Sequence, residues 1–118
     1  MFEIKLATGD KFTATGVSEN YNGMNGSMYS KTTTLNIECN EKAESLEHYQ
    51  GLLEKEGALE TITVSVDGKE AATFNGYTEI QNLQYRLLST GTGVVSIMLL
   101  KGDPVSVVET VTAKTGKQ

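Results

Sequence analysis

Apolar and polar residues alternate along Glu60 to Lys101, and glycine-containing turns interrupt the alternation. A period of two marks a half-buried strand, so this stretch predicts four successive antiparallel strands. Ile62, Val64 and Val66 share one face, with Thr61, Thr63 and Ser65 on the other. Asp67-Gly68 is a hairpin signal. A two-residue turn would set Val64 against Ala71 and Ile62 against Thr73. An odd-length loop, such as a type I turn with a glycine bulge, puts Ala72 and Phe74 with Ile62 and Val64, and it is the expected solution. Asn75-Gly76 predicts a tight turn. Tyr77 to Leu88 then changes parity, from Thr78 and Ile80 to Leu83, Tyr85 and Leu87, which predicts a bulge or bend near Gln81-Asn82. Val94 to Leu100 is apolar on both faces, as in a central strand.

The first half of the chain is read in the same way. Phe2, Ile4 and Leu6 alternate with Glu3 and Lys5, Thr8 to Lys11 signals a turn, and Phe12 to Val17 predicts a second strand. Ser18 to Ser30, SENYNGMNGSMYS, is expected to be a flexible loop, because its small polar residues offer little area to offset ordering entropy. Long loops of this kind are either surface segments or functional ones. Tyr21, Met24, Met28 and Tyr29 lie within it and are adaptable contact residues if it orders against a partner. Thr32 to Cys39 alternates again. Asn40 to Gly57 predicts a helix, with Asn40 as N-cap, Ala43, Leu46, Tyr49, Leu52 and Leu53 on its apolar face, and Gly57 as its stop. Gly51 on the polar face is read as a tolerated weakness. Gly102 to Pro104 predicts a turn, Val105 to Val111 a last strand, and residues 113–118 a frayed tail. The chain is therefore expected to be one domain over 1–118, mainly β with one α-helix: a sandwich or barrel of about eight antiparallel strands with the helix packed on one side.

Composition narrows the chemistry. The net charge is −5 and the ten Lys and Arg are scattered, which argues against tight nucleic-acid binding or an anionic membrane partner. The longest apolar run, Val94 to Leu100, is far short of the roughly 20 residues of a membrane helix. The opening MFEIKLATGD sets charges among apolar positions, unlike a secretory signal. The single cysteine, Cys39, allows no internal disulfide and reads as a small core residue rather than a reactive thiol. The single histidine, His48, falls on the polar helix face, so a serine–histidine–carboxylate triad has no natural seat. Gly91-x-Gly93 lies between two strands, which is the wrong context for a phosphate loop. No catalytic, cofactor-binding or metal-ligating residues are assigned, and the expectation is a protein that is not an enzyme.

The order of elements is a strand pair, a long glycine-rich segment, a returning strand, one amphipathic helix and a run of glycine-punctuated strands. With Phe74-Asn75-Gly76-Tyr77, Ile80 and Tyr85 inside that run, the layout resembles small tail proteins of bacteriophages and prophages. Tail tube proteins of long-tailed phages, and the similar tube protein of type VI secretion, are the nearest style. The resemblance implies a non-enzymatic structural protein of the particle, in a tail tube, baseplate or connector-like role. It implies a virion component made in the host cytoplasm, homo-oligomeric or joined to other particle subunits, with Tyr21, Met24, Met28 and Tyr29 at subunit contacts. A small-ligand-binding β-barrel is the alternative. It requires a cavity among Ile62, Val64, Phe74, Tyr85 and Ile97.

Overall fold

A computed structural model describes residues 1–23, 32–40 and 43–101. Within them the chain is mainly β, as expected, with eight strands in two four-stranded antiparallel sheets and a single helix. In chain order the elements are β1 (Phe2–Lys5), β2 (Lys11–Ala14), β3 (Gly16–Asn22), β4 (Thr32–Cys39), α1 (Leu46–Leu53), β5 (Thr61–Val66), β6 (Lys69–Asn75), β7 (Tyr77–Leu87) and β8 (Gly93–Lys101). Sheet A has the order β2-β1-β5-β6 and sheet B the order β3-β4-β8-β7. The two sheets face each other as a sandwich rather than closing into a barrel.

Register explains the core. Ile4 lies between Phe12 and Val64, and Ile62 faces Phe74, so sheet A sends these residues to one face. Leu35, Ile37 and Cys39 pair with Leu99, Ile97 and Val95 and form the opposing face of sheet B. Ile4, Leu35, Ile62, Val95 and Leu99 are fully buried. Each such side chain contributes about 1.5–3 kcal/mol of hydrophobic stabilisation.

Several local expectations are corrected. The predicted strand Phe12 to Val17 is broken at Thr15, where the chain passes from sheet A to sheet B. Thr15 holds the corner by donating both its backbone N–H (2.7 Å) and its hydroxyl (3.0 Å) to the Glu38 carbonyl. The segment expected to be a loop from Ser18 is strand through Asn22, in unbroken register with Thr32 to Glu38. Its backbone groups find partners on β4, and that ladder requires no apolar side chains. Residues 24–30 of the expected loop, with Met24, Met28 and Tyr29, the last strand (105–111) and the tail (113–118) lie outside the described residues.

The helix is shorter than its apolar pattern suggested. Ser45, not Asn40, is the N-cap, and its Oγ accepts the His48 N–H at 3.2 Å. The helix stops at Leu53 rather than running to Gly57. Residues 54–60 turn back so that Ala58 and Leu59 are buried, while the Ala58 carbonyl accepts the Ala7 N–H. Gly57 has φ +76° within that turn. Tyr49 and Leu53 are the buried helix residues, and the Tyr49 ring meets Phe12 edge-on at 5.5 Å.

The β5–β6 hairpin faces as expected, with Ile62 opposite Phe74 and Val64 opposite Ala72. The device is different. Val66 pairs with Lys69, leaving a two-residue turn in which Asp67 and Gly68 both have positive φ, 54° and 81°. The odd residue is Ala71, unpaired where the register shifts at Val64/Ser65. At Gly76 (φ 90°) the chain does not form a hairpin. It switches sheets, so β6 and β7 are not neighbours. The expected irregularity at Gln81 is present, with a second at Thr78.

Candidate interaction surface

The chemistry-bearing side chains are dispersed. Cys39 is buried, and burial pushes its thiol up to about 11, only partly offset by a hydrogen bond with Tyr49. A thiol held neutral in this way is a poor nucleophile. Burial likewise pushes Tyr49 up to about 12, although its hydroxyl accepts the Glu44 N–H at 3.1 Å. His48 is exposed on α1, against the Tyr49 ring edge. Among the described residues no group of three or more His, Cys, Asp or Glu is placed to hold a metal ion, and no helix is long and apolar enough to cross a membrane.

The part-buried polar contact between Tyr77 and Glu19 ties the edges of sheet B together. Tyr77 is buried, and its hydroxyl donates to Glu19 Oε2 at 2.6 Å. Glu19 is on β3 and Tyr77 on β7, so the bond links elements from opposite edges. Burial first, and the Glu19 acceptor second, hold the Tyr77 phenol above its ordinary pKa. The Lys101 ammonium stands 5.4 Å from the ring centre on β8.

The surfaces of sheet B distinguish it. Its edges are β3 and β7, of seven and eleven residues. Register shifts interrupt β7 near its start, but Asn82 to Leu87 pair with Met98 to Gly93 without a break. At that end Tyr85 and Leu87 share the face of Val95 yet are 46% and 68% exposed, and Leu88 follows them into the turn. Tyr85 lies close over Gly93, where any Cβ would meet its ring. On the opposite edge Tyr21 pairs with Thr33 and is 63% exposed. Of the four predicted contact residues, Tyr21 is therefore placed on a strand that edges sheet B among the described residues, and the other three lie outside them.

The β7 tip was not singled out from sequence. The available signal was Leu87-Leu88: two adjacent leucines at a strand end cannot both face the core.

Three concavities lined by described residues lie at the surface. One, of about 640 Å³, lies between the end of α1 and the start of β7 and is rimmed by Glu54, Glu56, Glu60 and Glu79. A second, of about 450 Å³, lies between the start of α1 and Tyr85. The third, of about 490 Å³, crosses the outer face of sheet B. Of the residues expected around an interior ligand cavity, Ile62, Val64 and Phe74 line none of these, and Ile62 and Val64 are buried in the core. No family model, curated protein or solved structure matches the chain.

Proposed function

We propose that this chain is a non-enzymatic assembly subunit of a phage or prophage particle, and that copies join by extending sheet B from β7 of one to β3 of the next. The observation that supports self-association is the sense of the two strands that edge sheet B among the described residues. Alternating antiparallel pairing through β4 and β8 leaves β3 and β7 running in opposite directions at opposite ends of the sheet. A neighbouring copy in the same orientation thus offers β3 antiparallel to β7, the direction that continues the ladder. Such a contact is head-to-tail and gives a ring when its rotation closes.

Edge strands are ordinarily blunted by bulges and charges. Here the shifts at Thr78 and Gln81 protect the first part of β7, while the stretch Asn82 to Leu87 stays regular. Joining would cover Leu87, Tyr85 and Tyr21, each contributing up to about 1.5–3 kcal/mol on full burial. The particle assignment itself rests on the resemblance of layout. The alternative of a ligand held inside a barrel draws no support from a packed interior between two separate sheets.

Light scattering coupled to size-exclusion across a concentration series tests the reading. The wild-type chain should run as a defined multimer. Leu87→Lys and Tyr21→Lys, which place charge beside the two edges, should each give monomers. Thr13→Lys, at the exposed edge of sheet A, should leave the multimer intact. A strict monomer at every concentration, or a multimer indifferent to both sheet B variants, defeats it.

A further inference from the structure

The outward side chains of sheet B form a grid. Gly16, Glu38, Ser96 and Gln84 make one row across the four strands, and Ser18, Asn36, Met98 and Asn82 make the next. Directly opposed residues in such rows have Cβ atoms about 4.5–5.5 Å apart. The rows line the groove of about 490 Å³, a volume within the range of small-ligand sites. Gly16 opens one end, because it has no side chain where its partners do. Beyond the Gly16 row, on the side away from the Ser18 row, Arg86 Nη2 reaches Glu38 Oε2 at 3.8 Å, and Val94, which pairs with Arg86, is buried although it lies outside the core cluster.

The lining selects a ligand class. Three carboxamides and two hydroxyls face the groove, and each offers both a donor and an acceptor. Among the described residues, none of Ser18, Asn36, Asn82, Gln84 and Ser96 has a side-chain hydrogen bond to another protein group. Their bonding capacity is spent on water, and a ligand must replace it. The only ionised group in the lining is Glu38, and Arg86 already offsets its charge. An anion would use only the N–H half of each amide and would face that carboxylate. A cation finds no unshared charge. An extended peptide draws its specificity from side-chain pockets, and the apolar side chain at the groove floor is Met98. A hydroxyl-rich ring uses donors and acceptors together and can rest its C–H face on the soft thioether.

We infer that this face binds a neutral, polyhydroxylated ligand, a short glycan. Edge-to-edge assembly leaves the sheet face open, so the inference does not depend on the oligomeric state.

The test is an amide-resolved NMR titration of the full chain with chitotriose, cellotriose and mannotriose. Phosphate, spermidine and a neutral Gly-Ser peptide serve as comparison probes. At least one trisaccharide should give saturable shifts centred on Ser18, Asn36, Asn82, Gln84, Ser96 and Met98, with a Kd on the order of 1 mM. Asn36→Ala and Asn82→Ala should each raise that Kd roughly five- to tenfold, the equivalent of one hydrogen bond. Gly16→Leu should abolish binding by filling the groove. Its Cβ would meet only Glu38 Cβ, at 3.9 Å, so the backbone accommodates it. The same spectra report whether the inner face of each variant is unchanged. The inference is overturned if no trisaccharide gives saturable shifts, if the shifts map elsewhere, if all three variants bind like wild type, or if phosphate, spermidine or the peptide acts equally well.

Discussion

Replacing Tyr77 by Phe removes one oxygen and keeps the ring in place. The ring is buried and continues to face Lys101, so packing and the cation–π contact survive. What is lost is the 2.6 Å bond to Glu19 Oε2, a donor–carboxylate bond of the short, charge-assisted kind. Bonds to charged groups contribute about 1.5–3 kcal/mol. Glu19 is exposed and can rehydrate once the phenol is gone, which places the expected loss near the lower end, about 1–2 kcal/mol. No buried polar atom is orphaned by the change. For a chain of this length that corresponds to a fall in Tm of about 3–6 °C per kcal/mol.

Urea unfolding of wild type, Tyr77→Phe, Glu19→Ala and the double variant gives a complete cycle. A coupling of about 1 kcal/mol between the two positions is expected, with unchanged m-values. Tyr77→Phe within about 0.3 kcal/mol of wild type, or strict additivity with Glu19→Ala, would refute the claim that this bond ties β3 to β7.

Two further outcomes follow from the described geometry. Gly51→Ala should stabilise the protein by about 1 kcal/mol, because Gly51 is exposed inside α1 and an added Cβ meets nothing within 4 Å; thermal unfolding checks it. The contribution of Cys39 and Tyr49 to stability should be constant below about pH 9 and fall above it. Cys39 is raised from its ordinary 9.0 to about 11 and Tyr49 from 10.0 to about 12. The unfolded chain therefore releases these protons first, and the folded state loses ground until its own groups ionise. Urea midpoints across that range measure the decline, and Cys39→Ala should remove its earliest part.

Much of the fold was legible because it is written in side-chain periodicity. Ile62, Val64, Phe74, Leu83, Ile97 and Leu99 alternate at period two, and burial of those faces requires the register that is found. The bulge at Gln81 was visible as a parity change, since a strand cannot carry Ile80 and Leu83 to one face without an extra residue. The hairpin facing was legible for the same reason, whereas its device was not. An odd loop and a two-residue turn followed by a bulge at Ala71 send the same side chains inward.

The candidate surfaces were less legible. β3 carries polar residues toward both faces, and its order comes from main-chain bonds to β4 that no side-chain pattern announces. The groove joins Ser18, Asn36, Asn82 and Ser96 from four strands, and their adjacency exists only once register is set.

The sequence alone determined which residues must leave water, and with them the strand-rich class, the single helix and most turns, because burial of apolar area follows local periodicity. Tertiary structure decided which strands became neighbours. The sheet switches at Thr15 and Gly76, the stop of α1 at Leu53 and the placing of β3 and β7 at the edges of the described sheet B depend on contacts between segments far apart in the chain. Those contacts satisfy backbone groups, and every residue but proline carries the same ones.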